Sequence, residues 1–423
     1  MRSYDGHHGV MTARRHLRPC VAVGAFALVL AACSSPTAES EGPPSESTPS
    51  TTELFDIAER DPLPFPGYDI DRVTIAPLPP PGQPAATEAH VLTGWAAFDA
   101  TIDQAVLGGG SDAVSVAVSI DGELVHEAAM GARVPDTIDA VETTDKFRIA
   151  SISKTITAIT ALQLVEDGLV GLDDPIGLVV ADAVGVASPS AGVADLTVRK
   201  LLTHTSGFAQ YENVFFRNQV GSCEEAAAVG VSRSLQGAGY RYSNMNFCVL
   251  GLLIEQLTGQ EYEQIVYERL LTPLGISGMR LAPTEDPGPG EVVHRTVPGR
   301  NYMEVLGAAG AWVASPSDLV TIFNSLDLST PGWKPLDADT VASMRTAVND
   351  PLTPDLGYGM GLILYGGGAV GHTGTVESTH AMVLDRADNV TWAVTVSGEN
   401  PSKTVHLADI VDRALIAGGF VTG

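Results

Sequence analysis

The chain has 423 residues, 44% of them hydrophobic and 17% charged, with 24 basic against 50 acidic side chains for a net charge of −26. That sign excludes a broad surface for gripping nucleic acid and docking on anionic lipid through basic residues. The apolar fraction excludes a wholly disordered chain, and the 4 cysteines are too few for a disulfide-built miniprotein.

The first element in chain order is an address. Arg14, Arg15 and Arg18 precede an apolar run from Val21 to Ala32. A basic segment, a short apolar stretch and small residues before a cut describe a secretory signal. The run is too short to span a bilayer, which takes roughly 20 residues. Leu30-Ala31-Ala32-Cys33 resembles the lipobox of bacterial lipoproteins, which implies cleavage before Cys33 and a lipid on its sulfur. The alternative is an ordinary signal with an incidental cysteine. Translation starts at Met1 or Met11. The expected location is the outer face of the bacterial cytoplasmic membrane or cell envelope, held there by the lipid alone.

Residues 1–32 are thus read as a lipoprotein signal, 33–88 as a tether and 89–423 as the folded domain. The tether is rich in Pro, Ser, Thr and Glu, with Pro43-Pro44 and Pro79-Pro80-Pro81. Such a segment buries too little apolar surface to offset its ordering entropy. After the signal and Cys33, only Cys223 and Cys248 remain. An even pair in an oxidising compartment is expected to form a disulfide, with two free buried thiols as the alternative.

Apolar positions at helical spacing predict a helix from Glu88 to Leu107, stopped by Gly108-Gly109-Gly110. Ala113–Ile120 and Glu123–Met130 read as a β-hairpin around Asp121-Gly122. Thr379–Leu384 and Val390–Val396 read as two further strands, and Ser402–Ala417 as a last helix. The long middle is mostly helical with Gly/Pro loops. The predicted fold class is α/β (α+β): an antiparallel sheet built from both chain ends, flanked by helices, with an inserted helical lobe.

Three segments carry chemistry. Phe147 to Ala158 contains Ser151-Ile152-Ser153-Lys154 and leads into an apolar helix ending near Asp167-Gly168. At a helix start, unpaired N–H groups favour developing negative charge. Lys154, three residues on, shares a helix face with Ser151. A serine hydroxyl needs a neighbouring base to become a nucleophile, and a desolvated lysine supplies one. Tyr240-Arg241-Tyr242-Ser243-Asn244 precedes a second apolar helix, Phe247 to Leu257. Val370-Gly371-His372-Thr373-Gly374-Thr375 precedes a terminal strand.

Ser-x-x-Lys, Tyr-x-Asn and His-Thr-Gly in this order resemble the signature of the serine β-lactamase and DD-peptidase superfamily. The context is similar to its class C-like branch, especially secreted D-alanyl-D-alanine carboxypeptidases. Leu201-Leu202-Thr203-His204-Thr205-Ser206-Gly207, Pro273-Leu274-Gly275 and Tyr358-Gly359-Met360-Gly361 add to the likeness. The resemblance covers roughly residues 90–420 and implies the β-lactamase/transpeptidase-like fold.

It also implies acyl transfer through an ester on Ser151, with Lys154 and Tyr242 sharing proton handling, either of them the base. Asn244, His372, Thr373, Gly374 and Thr375 would bind substrate. The backbone N–H groups of Ser151 and Thr375 would form the oxyanion hole, which needs Thr375 on an edge strand. Expected partners are the peptidoglycan stem peptide, a β-lactam or a related small acyl substrate. No cofactor and no metal are expected, because the remaining histidines lack ligand spacing. His204 is read as structural.

The likeness departs at two places. His372 stands where most β-lactamases have lysine. Leu362-Ile363-Leu364-Tyr365-Gly366 lacks the arginine with which strict carboxypeptidases of this type hold a free carboxylate. A β-lactamase or esterase would use the same machinery. A non-catalytic peptidoglycan-binding lipoprotein is the alternative of another class.

Overall fold

The computed structural model describes residues 92–237, 239–347 and 356–421. The signal, Cys33, the tether and the boundary at residue 88 lie outside them. β1 (Ala113–Ile120) and β2 (Glu123–Gly131) form the expected hairpin, and Asp121 and Gly122 both take positive φ, 52° and 81°. That backbone twist matches the twist of the flanking strands. Three short strands, β3 (Phe147–Arg148), β4 (Arg280–Leu281) and β5 (Trp312–Ala314), make a separate sheet in the order β3-β5-β4.

The remaining strands are β6 (Leu356–Tyr358), β7 (Ile363–Tyr365), β8 (Val370–Val376), β9 (Thr379–Asp385) and β10 (Val390–Ser397). With the hairpin they form a seven-stranded sheet, ordered β2-β1-β10-β9-β8-β7-β6. Its pairings are all antiparallel. The predicted antiparallel sheet from both chain ends is therefore present, and it is larger than the four predicted strands. The His-Thr-Gly segment does not merely precede a strand; it is β8.

Side chains alternate across a strand, so a sheet covered on both faces reads as a continuous apolar run. Val114, Val116, Val118, Trp392 and Val394 join one core with Phe98 and Ile102 of the helix Trp95–Val106 and Leu407 and Val411 of the helix His406–Gly418. Ala117, Ala381, Val383 and Ala393 join the other core with Ile152, Ile156 and Ile159. The result is terminal helices, sheet, then a helical lobe.

Both terminal helices start later than the spacing predicted. The first begins at Trp95 because Gly94, at φ 62°, breaks the pattern ahead of it. The last begins at His406, and just ahead of it the Thr404 hydroxyl bonds the Thr375 hydroxyl at 2.5 Å and His380 Nδ1 at 2.7 Å.

Cys223 and Cys248 are joined by a disulfide, with their Cα atoms 5.6 Å apart. The bridge ties the helix Cys223–Ser232 to the helix Asn244–Thr258, whose first residue is a predicted site residue.

Candidate active site

The helix Ser153–Glu166 is the axis of the site, and every residue from Ser153 to Leu164 is buried. A single tighter turn, Ala150–Ile152, leads into it and carries Ser151. Ala150, immediately before Ser151, is held at φ 45°. A left-handed conformation at a non-glycine residue costs of order 1–3 kcal/mol and persists only where packing enforces it. β8 supplies that packing. A Cβ on Gly374 would lie 2.0 Å from the Ile149 carbonyl oxygen and 3.2 Å from the Ala150 Cβ. Only glycine lets the strand pass this close to the turn. β7 pairs with β8 only at Val370 and Gly371. The stretch His372–Val376 is therefore a local edge, and Ser151 is presented beside it.

Lys154 is fully buried. Its Nζ lies 2.9 Å from Ser151 Oγ, 2.8 Å from Asn244 Oδ1 and 2.8 Å from the Ala309 carbonyl oxygen. Burial pushes its pKa well below the ordinary 10.5, opposed by the Glu212 carboxyl. A neutral lysine amine has two N–H donors and one lone pair. The Asn244 and Ala309 oxygens only accept, so they take the two N–H groups. The lone pair then faces the Ser151 hydroxyl, the one partner able to donate. This arrangement suits proton abstraction from Ser151.

Tyr242 flanks the same amine, with Nζ 5.0 Å from its ring centroid. Its ring packs on His204 at 4.3 Å between centroids. His204 is fully buried, and its Nδ1 accepts from the Ser243 N–H at 3.2 Å and the Asn246 amide at 2.7 Å. Burial, then Lys154 and His372, drive its pKa well below 6.5, so it stays neutral. It holds the Tyr242-to-Asn246 segment in place, which agrees with a structural reading. The Ser243 hydroxyl caps the helix that begins at Asn244, accepting from the Met245 N–H at 3.3 Å.

Ser151, Tyr242, Asn244 and Thr375 converge on one cavity of about 50 Å³. Lys154 stands behind its wall. The other predicted binding residues do not reach it. His372 is fully buried; its Nδ1–H donates to the Thr373 carbonyl at 2.7 Å, and its Nε2 accepts from the Tyr358 hydroxyl at 3.2 Å. Burial, reinforced by Lys154, lowers its pKa to about 3. It is a neutral strut between strands, with no nitrogen left for a substrate carboxylate. Thr373 is buried at 3% exposure, and Gly374 serves through its missing side chain.

Sequence reasoning missed Glu212, which lines the cavity together with Gln210, Phe216 and Leu306. Burial raises its carboxyl to about 7, with Lys154 acting the other way. No spacing signal marks it among 50 acidic residues.

The beta-lactamase family model matches residues 98–415. The chain belongs to the beta-lactamase family. It is therefore one of a family of serine hydrolases, with the β-lactamase/transpeptidase-like fold. It is 32% identical to penicillin-binding protein 4 of Amycolatopsis lactamdurans over 179 residues, 40% of this chain and 45% of that protein. The chain thus spans about half the length of the curated relatives it matches. A solved structure of SurE with D-Leu superposes with a TM-score of 0.62 at 27% identity, covering 77% of each chain. D-amino acid amidase from Ochrobactrum anthropi SV3, complexed with L-phenylalanine amide, shares the fold, with a TM-score of 0.62 and 23% identity over 76% of this chain and 97% of that one.

Proposed function

We propose that this member of the beta-lactamase family is a DD-peptidase-type enzyme that hydrolyses amide or ester bonds through an acyl-enzyme on Ser151. Its substrate class takes in peptides of the cell envelope such as the peptidoglycan stem peptide, β-lactams and related small acyl amides and esters, and the cavity ranks the members of that class. The single observation that carries the reading is the buried Lys154 amine 2.9 Å from Ser151 Oγ. Burial lowers its pKa well below the ordinary 10.5 and so favours the neutral amine that a base requires.

Ser151 Oγ bonds to the carbonyl carbon as its proton passes to Lys154. The backbone N–H groups of Ser151 and Thr375 hold the oxyanion. The bond from carbonyl carbon to leaving nitrogen or oxygen then breaks, and the leaving group takes a proton relayed by Tyr242. Water attacks the Ser151 ester, gives up its proton and releases the acid. Serine and the proton carrier return to their starting states.

The carboxypeptidase form of this activity wants a cation for the free carboxylate of the substrate. None of the cavity-lining residues is Lys, Arg or His, and His372 is sealed and neutral. This favours neutral leaving groups, amides and esters, over a free peptide C-terminus. The enzyme is read as exported and lipid-anchored through Cys33, so Cys33→Ala should release it from membranes.

The test is a substrate panel: nitrocefin, a D-Ala-D-Ala peptide, its C-terminal amide, and simple esters. Turnover of the amide and esters above the free peptide supports the reading. Fast nitrocefin turnover with no peptide or ester hydrolysis makes the protein a β-lactamase. Inertness toward the whole panel contradicts an acyl-transfer enzyme.

A further inference from the structure

Glu212 is unused by the chemistry above, yet it sits in the cavity that holds Ser151. Among the described residues its carboxyl makes no hydrogen bond and no ion pair, and the basic group acting on it is the Lys154 amine. Lys154 already has three partners within 2.9 Å and no exposure. The cavity walls otherwise offer amide, hydroxyl and apolar groups from Gln210, Asn244, Tyr242, Phe216, Leu306 and Val376. A half-buried carboxylate without a counter-charge is costly, and a cation arriving with the ligand removes that cost.

We propose that Glu212 anchors a cationic amine on the acyl part of the substrate, so that the preferred donors are amino-acyl amides and esters with a free α-amine. This rests on the reading of Ser151 as the acylated nucleophile and deepens it by narrowing the donors: free amino-acyl compounds rank above N-acylated stem peptides and β-lactams, which still acylate Ser151 but less efficiently. Two features fit together. The carboxyl shares the cavity with the nucleophile, as an α-amine must lie close to the scissile carbonyl. The protein's net charge of −26 attracts cationic substrates and repels anionic ones. Raised toward neutrality by burial, the carboxyl also has most to gain from an ammonium partner.

The test compares D-alanine p-nitroanilide with N-acetyl-D-alanine p-nitroanilide, using the full chain and Glu212→Gln. The expected wild-type preference for the free amine is at least tenfold in kcat/KM. Glu212→Gln keeps the shape and removes the charge, so the preference should shrink to within about threefold, mainly through KM. Equal or better use of the N-acetyl donor by the wild type overturns the proposal. An equal loss on both donors in Glu212→Gln, confined to kcat, also overturns it and assigns the carboxyl to activating water. If the anilides prove too inert, the p-nitrophenyl esters of the same two acids read the same preference as Ser151 acylation by intact mass. Failure of p-nitrophenyl acetate to acylate Ser151 would sink the acyl-enzyme reading itself, and the amine anchor with it. Acylation by that ester without amine preference would sink only the anchor.

Discussion

Lys154 Nζ lies 2.9 Å from Ser151 Oγ with no exposure to solvent. One side chain is thus both the desolvated group of the core and the nearest base to the nucleophile. Replacing Lys154 by Met fills the space and removes the base, and acylation by an activated ester should fall by about 10²–10⁴-fold. Because the neutral amine does the work, wild-type acylation should rise with pH through a midpoint below 10.5 and then level off. Stopped-flow acylation from pH 5 to 10 checks both. A pH-independent rate, or an active Lys154→Met, would assign the base elsewhere.

Gly374→Ala should be worse than a conservative change in a strand. Its Cβ would lie 2.0 Å from the Ile149 carbonyl, so β8 or the Ser151 turn must move. Overpacking of this kind typically costs about 1–3 kcal/mol. A shift of about 1 Å at the nucleophile costs on the order of 10²-fold in rate. Denaturant melts and acylation rates on the same variant read the two effects.

Glu212 makes stability depend on pH with a definite sign. Its carboxyl titrates near 7 in the fold against 4.5 normally. Between those values the native state holds more protons than the unfolded chain, so this group's contribution falls as pH rises through the window. Glu212→Gln abolishes that loss. The variant should match the wild type below pH 4 and gain about 1–3 kcal/mol relative to it above pH 7. Urea midpoints at pH 4, 6 and 8 test this, and a variant destabilised at pH 8 would contradict it.

The Cys223–Cys248 bridge closes a loop across a sequence separation of 25. Loop-closure entropy puts its contribution at about 3.5 kcal/mol. A Cys223→Ser/Cys248→Ser double variant should melt lower by roughly that amount while still acylating, since neither sulfur lines the cavity. Thiol titration of the denatured, unreduced domain should find neither cysteine free.

The parts of the site that demand a residue type were legible in the sequence. Ser151, Lys154, Tyr242 and Asn244 carry their chemistry in their identity and order, and the hairpin is written in Asp121-Gly122. Residues whose role comes from what covers them were not. His372 reads as a binding residue until the hydroxyl of Tyr358, 14 residues earlier, takes up its Nε2. Glu212 looks like any surface acid until the short helix Glu212–Phe216 turns it into the cavity. The edge beside Ser151 arises because β7 stops short, and pairing length across a sheet leaves no local signal.

The central claim is that Ser151 becomes an ester. Intact mass followed by peptide mapping, after brief exposure to a penicillin and to an activated ester, tests it most directly. The expected result is one acyl group per chain on the peptide carrying Ser151, absent in Ser151→Ala and slowed in Lys154→Met. No adduct with either reagent, or an adduct that survives Ser151→Ala, would contradict it.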